Sequence, residues 1–186
     1  MAVDPNTEQI VLVDRAGNPI GSGPKLDLHN ENTPLHLAFS VYIFNDKGEL
    51  LVTRRALHKK VWPSVWTNSC CGHPQPNETM QDAINRRVRY ELGMQIGDLQ
   101  IINDSYIYKT PPYNGVIEHE FCPIFVGRAT QEPDPNPEEV ADYTWMSWDD
   151  YSKELSNDTK NQWSWWAKDQ FVYFTKGVIP ASTHRL

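Results

Sequence analysis

The sequence predicts an α/β (α+β) fold, a mixed β-sheet sandwiched between helices, on three observations. An apolar, aromatic run over 37–44 and a second over 49–53 flank Asn45-Asp46-Lys47-Gly48, a hairpin signature with a turn longer than the tightest type. Thr79-Met80-Gln81-Asp82 has capping-box form, and Met80, Ile84, Val88 and Leu92 repeat every four residues behind it, up to a helix stop at Gly93. Strand-like runs and helical segments then intermix to the end of the chain.

Taken in order, 9–13 reads as a short strand turned at Arg15-Ala16-Gly17-Asn18. After the hairpin and the helix, 99–102, 106–109 and 116–126 read as strands. The stretch 130–139 holds three prolines and four acids and is expected to be a surface loop. Trp145 and Trp148 are expected to close a short strand before a helix from about Asp149, and a last aromatic helix covers roughly 162–176.

The length of 186 residues fits a single domain over 1–186, and 39% hydrophobic content with seven tryptophans implies a packed core. No apolar run approaches the roughly 20 residues a membrane helix needs. The start, Met1-Ala2-Val3-Asp4-Pro5, lacks a signal-peptide core. Cys70 and Cys71 are adjacent, where a disulfide would be strained, so three cysteines suit a reducing cytoplasm. A net charge of −7 argues against non-specific nucleic-acid binding. Seven of the seventeen basic residues nevertheless fall in two runs, Arg54, Arg55, Lys59, Lys60 and Arg86, Arg87, Arg89. Both runs flank Cys71 and His73, which favours a small anionic ligand over two solvated faces.

The stretch Trp66-Thr67-Asn68-Ser69-Cys70-Cys71-Gly72-His73-Pro74, running on to Arg86-Arg87-Val88-Arg89-Tyr90-Glu91-Leu92-Gly93, sets a thiol, an imidazole and a carboxylate around one helix. It resembles the Nudix box: a glycine, a glutamate six residues on, then Arg-Glu-x-x-Glu-Glu-x-Gly. Gly72, Glu78, Arg86, Glu91 and Gly93 match, whereas Arg87 and Tyr90 stand where a Nudix hydrolase carries glutamates. Three further blocks are Leu35-His36-Leu37-Ala38-Phe39-Ser40, Thr53-Arg54-Arg55-Ala56 and Glu118-His119-Glu120-Phe121-Cys122-Pro123. With them the chain resembles the type I isopentenyl diphosphate isomerase family from about Lys25 to Trp166. The resemblance names the expected architecture as the Nudix fold.

It also implies a metal held by His29, His36, His73, Glu118 and Glu120. Five N/O ligands suit Mn²⁺, Mg²⁺ or Zn²⁺, while a structural zinc site would recruit the cysteines. Taken singly, each histidine reads as structural and the two glutamates as one strand face, with His119 pointing the opposite way. His58, His119 and His184 fall outside the family pattern. Lys25, Arg55, Lys59 and Arg87 match the family's diphosphate-binding positions, and Glu91 the carboxylate that holds Mg²⁺ with the diphosphate. Alone, Arg87 and Glu91 read as a surface salt bridge of about 0.3–0.5 kcal/mol.

The implied reaction adds a proton at one alkene carbon and removes one at another, through a tertiary carbocation. Cys71 and Glu120 match the two proton-transfer groups, each worth roughly 10²–10⁴-fold. Tyr108 would assist Glu120, and Trp166 would face the cation, with Trp165 standing where the family has a proline. The competing readings are a Nudix hydrolase of a diphosphate-linked substrate and a metal- or nucleotide-binding module without activity. The expected partner is a small isoprenoid diphosphate, with no nucleic acid or membrane, bound by a monomer or weak dimer.

Overall fold

A computed structural model describes residues 7–174. The chain begins with β1 (Gln9–Val13), β2 (Pro19–Pro24), α1 (Lys25–Leu28), β3 (His36–Leu37), β4 (Phe39–Phe44) and β5 (Leu50–Arg55). It continues through β6 (Trp66–Thr67), β7 (Cys70–Gly72), α2 (Met80–Leu92), β8 (Ile96–Asn103), β9 (Ile107–Lys109) and β10 (His119–Phe121). It closes with β11 (Ile124–Ala129), β12 (Val140–Met146), α3 (Trp148–Ser156), α4 (Trp165–Gln170) and a 3₁₀ turn, Phe171–Tyr173.

Two runs expected as single strands are broken, and the breaks divide the strands between two sheets. Ala38 separates β3 from β4, and Cys122-Pro123 separates β10 from β11. Pro123 has no N–H to give a ladder, which accounts for the second break. The smaller sheet has the order β2-β1-β3-β10-β9, and the larger β12-β5-β4-β11-β8. β3 with β10 and β4 with β11 are the parallel pairs. The bonds Ala38 N–H to Phe121 O (2.9 Å) and Ser40 N–H to Pro123 O (3.1 Å) carry the pairing across both breaks. The expected hairpin is also splayed: β4 and β5 pair only at Phe44 and Leu50. β7 then takes the edge of β4, and β6 pairs with β5. This insertion sets Cys71 opposite Ser40.

β4 is buried on both faces. Phe39, Val41 and Ile43 pack with Ala83, Ile84, Val88 and Leu92 of α2, whereas Tyr42 and Phe44 pack with Tyr151 and Leu155 of α3 and Trp166 of α4. The larger sheet is thus sandwiched between helices, as the pattern predicts. Each fully buried Leu or Ile side chain in these layers contributes roughly 1.5–3 kcal/mol.

The start of α2 is the expected one, since Thr79 Oγ1 accepts from Asp82 N–H at 3.1 Å. Gly93 ends it with φ 62, and a Cβ there would collide with the Asp134 carbonyl oxygen. Several boundaries differ from expectation. Trp148 opens a helix and does not close a strand, because Ser147 caps α3 by accepting from Asp150 N–H. The last aromatic helix reaches only Gln170 before tightening into the 3₁₀ turn, and 175–176 lie outside the described residues. Segment 130–139 has no regular structure but is more than a surface loop. Its Asp134 and Asn136 N–H groups bond the Leu92 and Glu91 carbonyls (2.8 and 2.9 Å), which ties it to the end of α2. Among the described residues no helix is long and apolar enough to cross a membrane.

Candidate active site

β3, β10 and β9 lie side by side, and their register places His36 beside Glu120 and Glu120 beside Tyr108. His29 follows α1, His73 follows β7, and Glu118 precedes β10. These segments bring three imidazoles together. His36 Nε2 is 3.2 Å from His29 Nε2 and 3.3 Å from His73 Nε2. His73 Nε2 lies 3.2 Å from Glu120 Oε1, and His29 Nδ1 lies 3.6 Å from Glu118 Oε2. Both glutamates turn into the cluster, and His119 turns away to Thr33 O (3.3 Å), as strand alternation requires.

The donor set fits a divalent cation. His36 Nδ1–H donates to Pro34 O at 2.9 Å, so Nε2 offers a lone pair to the centre. Burial lowers the pKa of His29 to about 2 and of His36 to about 4, keeping both neutral as metal binding needs. Buried His73 Nδ1 and Glu118 Oε2 have no hydrogen-bond partner. Ligand atoms of His29, His36, His73 and Glu118 all lie within 4.8 Å of one another. Like-charge crowding splits the carboxylates: burial and Glu120 raise Glu118, whereas Glu120, itself buried, is lowered by the His73 hydrogen bond.

The cluster opens into a cavity of about 540 Å³. Lys25, Arg55, Lys59, Arg87, Glu91, Cys71, Tyr108, Glu118, Glu120 and Trp166 all line it, with His29 and His73; His36 sits fully buried behind. The cations are held by carboxylates or carbonyls. Lys25 pairs with Glu8 at 2.9 Å, Lys59 pairs with Glu139, and Arg87 Nε donates to Glu91 at 2.9 Å while Nη2 reaches Glu139 at 3.4 Å. The Arg87–Glu91 pair is therefore mostly buried and is not a surface bridge. Arg55 donates to the carbonyls of Trp62 and Val61 (3.0 and 3.1 Å) and lies 5.6 Å from the Trp166 ring.

Within the box, Arg86 forms a two-point bridge to Glu78 (2.7 and 2.8 Å) and donates to His73 O at 3.0 Å. It braces the His73 segment against α2. A Cβ at Gly72 would lie 2.8 Å from Arg87 Cγ, so only glycine lets β7 approach the helix.

The two thiols face opposite sides. Cys70 packs with the α2 layer, and Cys71 with the Trp166 layer. Cys71 Sγ sits 3.3 Å from Ser40 Oγ and 3.2 Å from Asn68 Oδ1, and burial pushes its pKa up to about 12. Trp166 lines the cavity, while Trp165 stacks on Tyr108 at 5.7 Å. Tyr108 O–H donates to Glu120 Oε2 at 2.7 Å. Sequence reasoning missed Glu8 and Glu139. Glu8 lies 3.7 Å from His73 Nδ1 across 65 residues of chain, and no local pattern marks either one.

Residues 34–167 match the NUDIX domain family. The isopentenyl-diphosphate Delta-isomerase of Mycolicibacterium vanbaalenii is 51% identical over 141 residues, 76% of this chain and 78% of that protein. That of Frankia alni is 44% identical over 179 residues, 96% and 91% of the two chains. The chain belongs to the isopentenyl-diphosphate Delta-isomerase family. Solved structures share this isomerase-family chain's fold at low identity. DR0079 from Deinococcus radiodurans has TM-score 0.67 at 19% identity, covering 91% of this chain and 98% of its own. A MutT protein from Methanosarcina mazei Go1 has TM-score 0.59 at 23% identity, covering 77% and 94%. These likenesses concern architecture alone. As a member of the isomerase family with a Nudix fold, the chain has a His/Glu cluster that could hold a divalent metal.

Proposed function

We propose that this isomerase-family member interconverts isopentenyl diphosphate and dimethylallyl diphosphate, moving one proton on and another off an unactivated alkene through a tertiary carbocation. The observation that carries this reading is the meeting of Cys71, the Tyr108–Glu120 pair and Trp166 on one cavity whose other lining includes Lys25, Arg55, Lys59 and Arg87. The four cations bind and orient the diphosphate, and Glu91 would hold Mg²⁺ beside it. Cys71 and Glu120 are the proton-transfer groups, and Tyr108 orients the Glu120 carboxyl through its 2.7 Å hydrogen bond. Trp166 turns its π face to the cation, a contact of roughly 2 kcal/mol or more in a desolvated site.

His29, His36, His73, Glu118 and Glu120 would hold Mn²⁺, Mg²⁺ or Zn²⁺, which supplies fixed positive charge beside Glu120. The relatives' names and the replacement of two box glutamates by Arg87 and Tyr90 both favour isomerisation over hydrolysis. The deciding experiment incubates purified protein and divalent metal with isopentenyl diphosphate and follows the allylic product. Formation of dimethylallyl diphosphate without phosphate release is expected. Phosphate release from a nucleoside diphosphate, with no allylic product, would favour a hydrolase.

A further inference from the structure

We propose that Asn68 is a positioning residue of this site, one amide oxygen holding the Cys71 thiol and the Trp166 indole together. This rests on the reading that Cys71 transfers a proton and Trp166 faces the cation. Asn68 is fully buried. Its Nδ2 donates to the carbonyls of Val41 and Cys70, both at 3.1 Å. Carbonyls only accept, so these two bonds fix which end of the amide is nitrogen and which is oxygen. The oxygen is therefore presented to donors on the other side. Cys71 Sγ lies 3.2 Å from it, Trp166 Nε1 3.2 Å and Thr67 Oγ1 2.9 Å.

An indole N–H can only donate, so the orientation of the Trp166 ring follows its acceptors, Asn68 Oδ1 and Thr67 Oγ1 at 2.8 Å. The thiol turns about a single side-chain torsion, and the same oxygen arrests it. Thr67 Oγ1 also holds the ring and Ser40 Oγ also touches the sulfur, but Asn68 Oδ1 is the atom that meets both, and Asn68 neither reacts nor lines the cavity. A buried amide is costly unless its hydrogen bonds are made, and here both ends are engaged.

The test compares Asn68→Ala, Asn68→Asp, Trp166→Phe and the Asn68→Ala/Trp166→Phe double variant of the full chain, with Mg²⁺ or Mn²⁺ and isopentenyl diphosphate. Asn68→Ala should lower kcat about 10²-fold, the scale of a small misplacement, with KM within about threefold. Asn68→Asp keeps the shape and an acceptor oxygen. As the neutral acid, which the facing Val41 and Cys70 carbonyls favour, it also keeps one donor, so it should recover about tenfold of that loss. The double variant should be no slower than the slower single one, because both act on one contact. The indole N–H resonance that disappears in Trp166→Phe should move upfield in Asn68→Ala and stay in place in Asn68→Asp. An unchanged kcat or an unmoved indole resonance in Asn68→Ala overturns the proposal. Should that protein not fold, Asn68→Asp decides: a displaced resonance with wild-type kcat overturns it, and a retained resonance supports it. A wild-type chain that makes no allylic product overturns the functional reading instead, while the resonance still reports on Asn68.

Discussion

Tyr108 and Glu120 are direct cross-strand partners, and the Tyr108 hydroxyl donates to Glu120 Oε2 at 2.7 Å. The same register puts His36 on the other flank of Glu120, so one carboxylate is shared between a phenol and the histidine cluster. A hydrogen bond to a charged acceptor contributes roughly 1.5–3 kcal/mol. Tyr108→Phe should therefore lower kcat by about ten- to a hundredfold. Metal content, measured by elemental analysis, should not change; loss of metal would move Tyr108 from the chemistry to the metal site.

Chelator treatment should abolish turnover, and Mn²⁺ or Mg²⁺ should restore it. His73→Ala should lose both activity and bound metal, since His73 faces His36 and Glu120 at 3.3 and 3.2 Å. A His73→Ala protein that is fully active without metal would end the assignment. Because metal binds the folded state, a hundred times Kd of metal should add about 2.7 kcal/mol to the unfolding free energy, read as a higher urea midpoint.

Acid should destabilise the metal-free protein. Burial lowers His36 from 6.5 to about 4 and His29 further, so below pH 6.5 the unfolded chain takes up protons that the folded chain refuses. Stability contributed by these two neutral imidazoles is present above pH 6.5 and is lost as pH falls toward 4. His73, raised by Glu120 and Glu8 against the opposing pull of burial, and Glu118, raised by burial and Glu120, both take up protons in the folded state and partly offset the trend. Urea midpoints with chelator at several pH values in that window measure the slope. A midpoint that rises as pH falls would contradict it.

Adjacent thiols should behave differently. Cys70→Ala removes a small buried hydrophobe from the α2 layer and should cost about 1 kcal/mol with most activity kept. Cys71→Ala should collapse turnover while circular dichroism and metal content stay unchanged. Cys71→Ser should also be severely impaired, because a hydroxyl is far less acidic than a thiol. An inactive Cys70→Ala protein would place the chemistry on the wrong sulfur.

What the sequence determined by itself was local. The cap at Thr79, the four-residue repeat through Leu92 and the stop at Gly93 are all short-range signals, and α2 begins and ends where they say. The turn Asn45–Gly48 and the opposite facing of Cys70 and Cys71 follow from the same kind of rule. Motif resemblance placed the candidate site residues in one list, because spacing along the chain survives in the letters. Tertiary structure decided the rest. Ala38 and Pro123 divide two apolar runs between sheets, and that division is what lines up His36, Glu120 and Tyr108. β6 and β7 are two and three residues long and exist only because the hairpin opens to receive them. Glu8 and Glu139 carry no local pattern, since their partners His73, Lys25, Lys59 and Arg87 are brought to them by folding. Periodicity records which face of an element is apolar; it holds no information about which distant charge will be desolvated beside which other.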